Sequence, residues 1–350
     1  MAKINGQIGP LSRLLDIFIS NEIYLFQTLD DIIYFEKNYK TMINHAFEEV
    51  KNNLTVEIKE LKSETKSLED DYNQKIIQRE ILIKDEISNI YPLIHDYSQP
   101  QKYILKKLYS KYKLFILNKR KTYLEENFEK EKRKPFIPLE KKIEDHNKKI
   151  NYLENNFNTV ASERFEGTDE KFNLAKSILK DNYSSLLGAI GEQKAVNELS
   201  KLPDSYYIIN DFQLLFSKAI YHKDSGNYIK SIQADHIVIG PSGIFLIETK
   251  NWSKESINNK DLYSPIEQIK RTSFALFIYL NNEITFLHDW GRRKISVRNI
   301  LLMITNKPTQ EFQYVKILTL KDVIGYIQYF EPVFSDSEVQ DIYNELSYDV

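Results

Sequence analysis

A change of hydrophobic periodicity near residue 187 is the feature that most limits what this 350-residue chain can fold into. From about residue 34 to 185 the chain is rich in Lys and Glu and almost free of glycine. A narrow apolar stripe recurs there at heptad spacing, and its charged flanks favour helices paired in a coiled coil over a broad core. The stripe consists of Leu54, Ile58, Leu61, Thr65, Leu68, Tyr72, Ile76, Ile83 and Ile90, and then of Leu139, Ile143, His146, Ile150, Leu153 and Phe157.

Prolines are expected to divide this helical region. "YPLIHDYSQPQ" contains Pro92 and Pro100, and "KPFIPLE" contains Pro135 and Pro138. Proline is poorly tolerated inside a helix, so the sequence predicts three helices of unequal length. They could fold back as an antiparallel hairpin within one chain, or they could pair two chains. We slightly favour the second arrangement, a homodimer through the coiled coil.

The first 33 residues form an amphipathic segment at helical spacing. Its polar face carries Asp16, Glu22, Asp30 and Asp31, which an anionic lipid surface would repel. We therefore expect the segment to pack against a protein surface and not a membrane. The chain has no apolar stretch of 18 residues, no signal-peptide pattern and no cysteine. These features predict a cytoplasmic protein, and the lack of cysteine excludes disulfides, thiolate zinc sites and a cysteine nucleophile.

After about residue 188 the pattern becomes one of short strands mixed with helices. The apolar runs "YYIIND", "ADHIVIG", "GIFLIETK" and "RNILLMITN" are separated by turn residues and helical patterns. This density of mixed elements predicts an α/β or α+β domain. Ser335 and Glu338 are spaced as a capping box at the start of a final helix.

Three charged residues interrupt two strands that are otherwise apolar. In "QADHIVIGPSGIFLIETKNW" they are Asp235, Glu248 and Lys250, and "GPSG" has the composition of a hairpin turn. Alternation along the strand places Glu248 and Lys250 on one face, and Asp235 on the partner strand can approach Glu248. Two adjacent carboxylates repel unless a proton or a cation is shared. Oxygen-only ligands favour a hard cation, so the sequence predicts a Mg²⁺ (or Mn²⁺) site with Lys250 beside it.

These residues resemble a known nuclease family. Asp235 followed by Glu248-Thr249-Lys250 resembles the acidic–(Asp/Glu)-x-Lys signature of the PD-(D/E)XK nuclease superfamily. Together with "GAIGEQKAVNELSKL" and "SPIEQI", the stretch is similar to the nuclease-related domain, NERD, over residues 187–350. The resemblance implies a mixed sheet flanked by helices, preceded by the amphipathic segment 1–33 and the coiled-coil region 34–186.

The resemblance also implies roles for individual residues. Asp235 and Glu248 would be metal ligands, and Lys250 the catalytic lysine. Glu192, on the helix that begins the domain, would complete the metal site directly or through water. Gln268 would position the substrate or the attacking water. The segment 252–265 departs from the family because it lacks a glycine-containing strand pair, and Thr272 stands where some members of the superfamily have an aromatic residue.

Each of these assignments has a simpler structural alternative. The two carboxylates could serve only as ion-pair partners of Lys250, Glu192 as an ordinary first-turn charge, and Gln268 as a surface residue. His236 should lie on the opposite face as a hydrogen-bonded structural histidine. A basic cluster beside Trp290 could bind a nucleic-acid backbone or form a solvated turn; it consists of Arg292, Arg293, Lys294 and Arg298.

The function predicted from the sequence is a cytoplasmic, Mg²⁺-dependent DNA nuclease. The coiled coil would assemble it or target it to a protein partner. A role in defence against foreign DNA rests on family analogy alone. The alternative is an inactive nuclease-like protein that binds DNA or assists assembly, with the coiled coil as its working part.

Overall fold

The computed structural model describes residues 1–223, 226–252, 263–288 and 291–347. By internal contacts the chain divides into two compact units. The sheet unit comprises Met1–Tyr39 and Lys171–Val350, and the helical unit comprises Lys40–Glu170. The boundaries expected from sequence were 34 and 187. The sheet unit takes in the whole N-terminal segment because that segment packs into it.

The described residues form ten α-helices and eight strands. The helices are α1 Gly9–Ser20, α2 Leu29–Ser98, α3 Ile104–Glu126, α4 Phe128–Arg133, α5 Ile137–Asn155, α6 Phe157–Asp181, α7 Tyr183–Leu199, α8 Tyr263–Glu283, α9 Leu320–Gln328 and α10 Asp336–Ser347. The strands are β1 Lys3–Asn5, β2 Tyr207–His222, β3 Asn227–Gly240, β4 Gly243–Lys250, β5 Phe286–His288, β6 Gly291–Arg293, β7 Val297–Met303 and β8 Val315–Thr319. A 3₁₀ turn, Lys134–Phe136, links α4 to α5.

The helical unit is an antiparallel hairpin within one chain. Residues of the stripe on α2 pack against returning helices, with Leu54 and Ile58 in one cluster and Ile83 and Ile90 in another. Ion pairs of 2.6–3.0 Å join the outgoing and returning helices and fix the antiparallel register: Lys62–Glu154, Lys142–Glu64 and Arg120–Glu86. The stripe therefore has its partner in the same chain, and it no longer argues for a homodimer, which stays a prediction.

The prolines act differently from one another. The prediction of a break at Pro92 is wrong, because α2 continues through it to Ser98. Pro92 is exposed, so the carbonyl that loses its helical donor can reach water. The break comes instead around Pro100, which follows the end of α2. Pro135 lies in the 3₁₀ turn and Pro138 in the first turn of α5, where a missing N–H costs no helical hydrogen bond.

The sheet unit contains a mixed six-stranded sheet flanked by helices, as the sequence predicted. The strand order is β1-β2-β3-β4-β7-β8. β2, β3 and β4 are antiparallel neighbours, whereas β1, β7 and β8 each run parallel to the strand they join. One face packs with Ala195 and Leu199 of α7, and the other with Ile266 and Ile269 of α8. The capping box of Ser335 and Glu338 is present at the start of α10.

The N-terminal segment packs on its own chain. β1 extends the sheet beside β2, and α1 packs against α7 with Leu11, Leu14 and Phe18 buried. In the described parts of the chain no helix is both long enough and apolar enough to cross a bilayer.

Candidate metal-dependent active site

The β3–β4 hairpin brings the first two predicted site residues to the same level of the sheet. His236 pairs with Ile247 in an antiparallel register, so Asp235 and Glu248 are the next positions toward the open end of the hairpin. The turn closes between Gly240 and Gly243. Gly243 has a φ of 133°, and a Cβ there would lie 2.4 Å from the guanidinium of Arg298, so this turn needs glycine.

Asp235 is a partly buried carboxylate held by the backbone of the next strand. Its Oδ2 accepts a hydrogen bond of 2.6 Å from the Thr249 N–H. Burial, and then the charge of Glu248, raise the pKa of Asp235 to about 7, although Lys250 and the Thr249 N–H act in the opposite direction. At neutral pH this carboxyl group is therefore poised between its protonated and ionised forms.

Glu248 and Lys250 form an ion pair on one face of β4. Lys250 Nζ donates to Glu248 Oε1 at 2.7 Å, and their side chains are 26% and 9% exposed in the order Lys250, Glu248. Burial acts to lower the pKa of Lys250, but the charges of Glu248 and Asp235 outweigh it and raise the pKa above its ordinary value. Lys250 is thus a cation at neutral pH, able to donate hydrogen bonds and unable to act as a base.

Glu192 lies on α7, beside the end of β4. It is 7% exposed, and burial followed by the charge of Asp235 raises its pKa to about 8. The helix approaches the end of β4 closely: Asn251 Nδ2 donates to the Leu187 carbonyl at 3.2 Å. A Cβ on Gly191 would lie 3.0 Å from the Asn251 side chain. Glu192 is therefore part of the acidic cluster and not an ordinary surface charge.

Asp211 is a fourth carboxylate that the sequence analysis missed. It lies on β2 between Asn210 and Phe212, which pair with residues 236 and 234 of β3, so it is level with Asp235. Its charge raises the pKa of both Asp235 and Glu192. The signal was an aspartate inside the apolar run "YYIINDFQLL", the same kind of signal that identified Asp235.

His236 is a structural residue, as expected from strand alternation. It is fully buried, and Nδ1 lies 2.8 Å from Asn210 Oδ1. Burial lowers its pKa to about 3, so the imidazole is neutral at physiological pH.

Gln268 lies on the exposed side of α8 and lines a groove with Gln233 and Thr272 of the same unit. Gln233 in turn donates a hydrogen bond of 2.8 Å to Asp211. Gln268 thus borders the site, while among the described contacts it has no hydrogen bond to the carboxylates. Most of the divergent segment, residues 253–262, lies outside the described residues.

The basic cluster is largely engaged by its own chain. Arg292 donates to the Ile284 carbonyl at 3.1 Å, and Arg298 to the Ser242 carbonyl at 3.1 Å. Arg298 also lies 3.9 Å from the centre of the Phe330 ring. Arg293 pairs with Glu338, and Lys294 is exposed. Trp290 lies outside the described residues. These contacts already use guanidinium donors. Binding of nucleic acid by this cluster stays a prediction.

The residues of the pocket fit a hard divalent cation bound by few protein ligands. Within the described ranges no group of three or more His, Asp and Glu side chains is arranged to hold a metal ion. Mg²⁺ commonly keeps several waters and uses one or two carboxylates together with substrate phosphates. Asp235 and Glu248 supply two such ligands, and the pKa of Asp235 is raised by burial first and then by the charge of Glu248, which a bound cation would offset.

The candidate site lies in the part of the chain that is similar to a known domain family. Residues 187–301 match the model of the NERD, nuclease-related domain, family, and this range contains Glu192, Asp211, Asp235, Glu248 and Lys250. The match confirms the resemblance read from the sequence, and it does not extend to the helical unit.

Seventy-seven residues are 35% identical to an uncharacterized protein of Bacillus anthracis. The similarity covers 22% of this chain and 32% of that protein, so the chain spans about a third of the length of the curated relative it matches. No solved structure matches the chain.

Proposed function

We propose that the protein is a Mg²⁺- or Mn²⁺-dependent nuclease that hydrolyses DNA phosphodiesters. The observation that carries the proposal is the meeting of Asp235 and Glu248 beside Lys250, with the pKa of Asp235 raised to about 7. Two carboxylates that repel each other tend to bind a proton or a cation between them. A lysine beside them can stabilise the negative charge of a phosphate substrate.

The residues take distinct roles in this proposal. Asp235 and Glu248 would hold the cation, with Glu192 completing the site through water. When bound, the cation lowers the pKa of a water and offsets charge on the phosphate. Lys250 is charged at neutral pH, so it orients that water and stabilises the negative charge that develops on the phosphate. Gln268 would position the substrate strand at the edge of the groove.

The role of the helical unit, the substrate and the biological role are further parts of the proposal. The helical unit would assemble the protein or direct it to a protein partner. DNA as the substrate and a role against foreign DNA follow from the NERD resemblance, and a cytoplasmic site of action follows from the sequence features given above.

An inactive nuclease-like protein is the second candidate, and one observation favours it. Lys250 already neutralises Glu248 at 2.7 Å, as a purely structural ion pair would. In such a protein the domain would bind DNA or assist assembly without cutting. Under this alternative the acidic cluster has no need of a metal ion.

A cleavage assay separates the two candidates. The purified protein is incubated with supercoiled plasmid and linear DNA, in Mg²⁺ and in EDTA. We expect cleavage only with Mg²⁺, its loss in Glu248→Gln, and no change in the control Glu331→Gln, whose side chain is exposed. Absence of cleavage by the wild type, or equal cleavage by Glu248→Gln, would exclude the proposed mechanism.

A further inference from the structure

Strands β2 and β3 continue beyond the sheet as a two-stranded arm. β4 pairs with β3 only between His236 and Gly240, whereas the β2–β3 ladder extends to the pair His222–Asn227. We define the arm as residues 212–222 and 227–234. It begins immediately beyond Asp211 and Asp235, so it is a direct continuation of the candidate site.

The outer part of the arm has one buried face and one exposed face. Ile220 pairs with Ile229, and Ile229 is fully buried in the core of the sheet unit. The next pair, Tyr221 and Tyr228, faces the other way because side chains alternate along a strand. These tyrosines are 51% and 64% exposed, and their ring centres are 5.2 Å apart. Two adjacent aromatic rings therefore face solvent on the arm.

The arm is locally positive although the chain as a whole has a net charge of −2. Lys218, Lys223 and Lys230 are exposed, and none of them has an ion-pair partner within the described part of the chain. The described residues from 212 to 233 contain no acidic side chain. Asp224 lies outside the described residues. A local excess of lysine beside exposed aromatic rings suits a polyanion that also offers flat rings.

A groove borders the arm on the face opposite to Tyr221 and Tyr228, where His222 packs against Phe274 of α8. It has a volume of about 480 Å³, and it lies between the arm and α8. His222 lines it beside the outer part of the arm, and Gln233, hydrogen-bonded to Asp211, lines it beside the carboxylates. Gln268 and Arg271 line it from α8. A chain-like ligand on the tyrosine face lies outside this groove, and it approaches the acidic cluster along the arm itself, whose inner end adjoins Asp211 and Asp235.

We infer that the arm binds an unpaired strand of nucleic acid, with bases stacked on Tyr221 and Tyr228 and phosphates near Lys223 and Lys230. This inference rests on the proposed function for its ligand class. Stacking on a protein ring requires a free base face, which a duplex offers only at its ends or where it is opened. The tyrosine pair therefore selects a single strand, and the lysines add affinity for phosphate irrespective of sequence.

Binding measured without cleavage tests the inference. The anisotropy of a labelled single strand of about 30 nucleotides, long enough to exceed one binding site, and of the matching duplex is followed in EDTA. We expect Tyr221→Ala/Tyr228→Ala to weaken single-strand binding at least tenfold, since each stacked base contributes about 1–3 kcal/mol. Duplex affinity should change less than threefold. Lys223→Gln/Lys230→Gln should reduce the slope of log K against log salt by about 1.4, because each lysine that neutralises a single-strand phosphate contributes about 0.7 to that slope.

Matched controls lie elsewhere on the sheet unit. Tyr329→Ala removes another exposed tyrosine, and Lys321→Gln another exposed lysine, and neither should change binding. All variants should keep the wild-type circular dichroism spectrum and melting temperature. Three results would overturn the inference: no binding of either nucleic acid by the wild type, equal losses of affinity for single strand and duplex in the tyrosine variant, or unchanged single-strand affinity in that variant. Tyrosine-dependent binding by a protein that cuts nothing would support the arm and reject only the nuclease proposal.

Discussion

The ammonium group of Lys250 lies 2.7 Å from the carboxylate of Glu248, two residues earlier on the same strand. This ion pair gives Glu248 a positively charged partner. Asp235 accepts only the backbone N–H of Thr249 among the described hydrogen bonds, while burial and then the charge of Glu248 raise its pKa. Of these two carboxylates, Glu248 has a cationic partner at hydrogen-bond distance and Asp235 has none among the described contacts, and this difference determines how substitutions at the site should behave.

Lys250→Ala should abolish cleavage and leave DNA affinity nearly unchanged. The lysine acts on the water and the phosphate charge, whereas affinity for DNA comes from a wider surface. We expect the cleavage rate to fall by at least a hundredfold, with the dissociation constant in EDTA within threefold of wild type. Lys201→Ala, which breaks an exposed i,i+3 pair with Glu198 at the end of α7, is the control. A rate within threefold of wild type would remove Lys250 from the mechanism.

Glu192→Gln should flatten the dependence of stability on pH. Unfolded glutamate releases its proton near the ordinary value of 4.5, whereas the folded protein holds that proton up to about 8. In this window the folded state binds more protons, so wild-type stability falls as pH rises from about 4.5 to about 8 and then levels off. Denaturant unfolding in EDTA should show that the free energy of unfolding of the variant rises relative to that of the wild type across that window. Above the folded pKa the gain should be on the order of 1 kcal/mol or more, since one pKa unit corresponds to about 1.4 kcal/mol. If the free energies of unfolding of the two proteins differed by the same amount at all pH values, the raised pKa of Glu192 would be contradicted.

The N-terminal segment should contribute to the stability of the sheet unit. Leu14 is fully buried on α1, so Leu14→Ala should cost about 2–5 kcal/mol of unfolding free energy. Ile19 on the same helix is 54% exposed, and Ile19→Ala should cost less than about 0.5 kcal/mol. Urea unfolding of the two variants tests the packing. Equal and small effects would show that the segment is a separate appendage.

The site residues that the strand pattern itself predicted are local in the chain. Asp235, Glu248 and Lys250 share one hairpin, and apolar runs around a turn identify a hairpin without knowledge of the rest of the fold. Asp211 was missed because its position beside Asp235 depends on the register between β2 and β3, which lies outside the β3–β4 hairpin. The arm was missed for a similar reason. It is recognised only when the structure shows that β4 pairs with β3 over a shorter range than β2 does.

The N-terminal strand illustrates the same limit at longer range. β1 has three residues, and it pairs with Tyr207 and its neighbours, which lie in a distant part of the chain. No periodicity marks so short a strand, and a parallel partner at that distance leaves no local signal. The heptad stripe, in contrast, was visible in the sequence, but whether its partner is in the same chain depends on the turn that joins α2 to α3.

The central claim is that Asp235 and Glu248 converge on one divalent cation, and melting curves in EDTA and in millimolar Mg²⁺ test it most directly. Without metal, Asp235→Asn removes one of two repelling charges at almost constant shape. In EDTA the variant should therefore melt at the wild-type temperature or above it. Mg²⁺ should stabilise the wild type by about 1–3 kcal/mol at roughly 10–100 times its dissociation constant, and the variant should lose most of this response.

A purely structural role for Asp235 makes the opposite prediction. The carboxylate would then stabilise the fold through Thr249 and Lys250, so Asp235→Asn would lower the melting temperature equally with and without metal. Our account predicts an unchanged or raised melting temperature in EDTA and a Mg²⁺ shift confined to the wild type. A clear loss of stability in EDTA, together with no Mg²⁺ shift in the wild type, would contradict it.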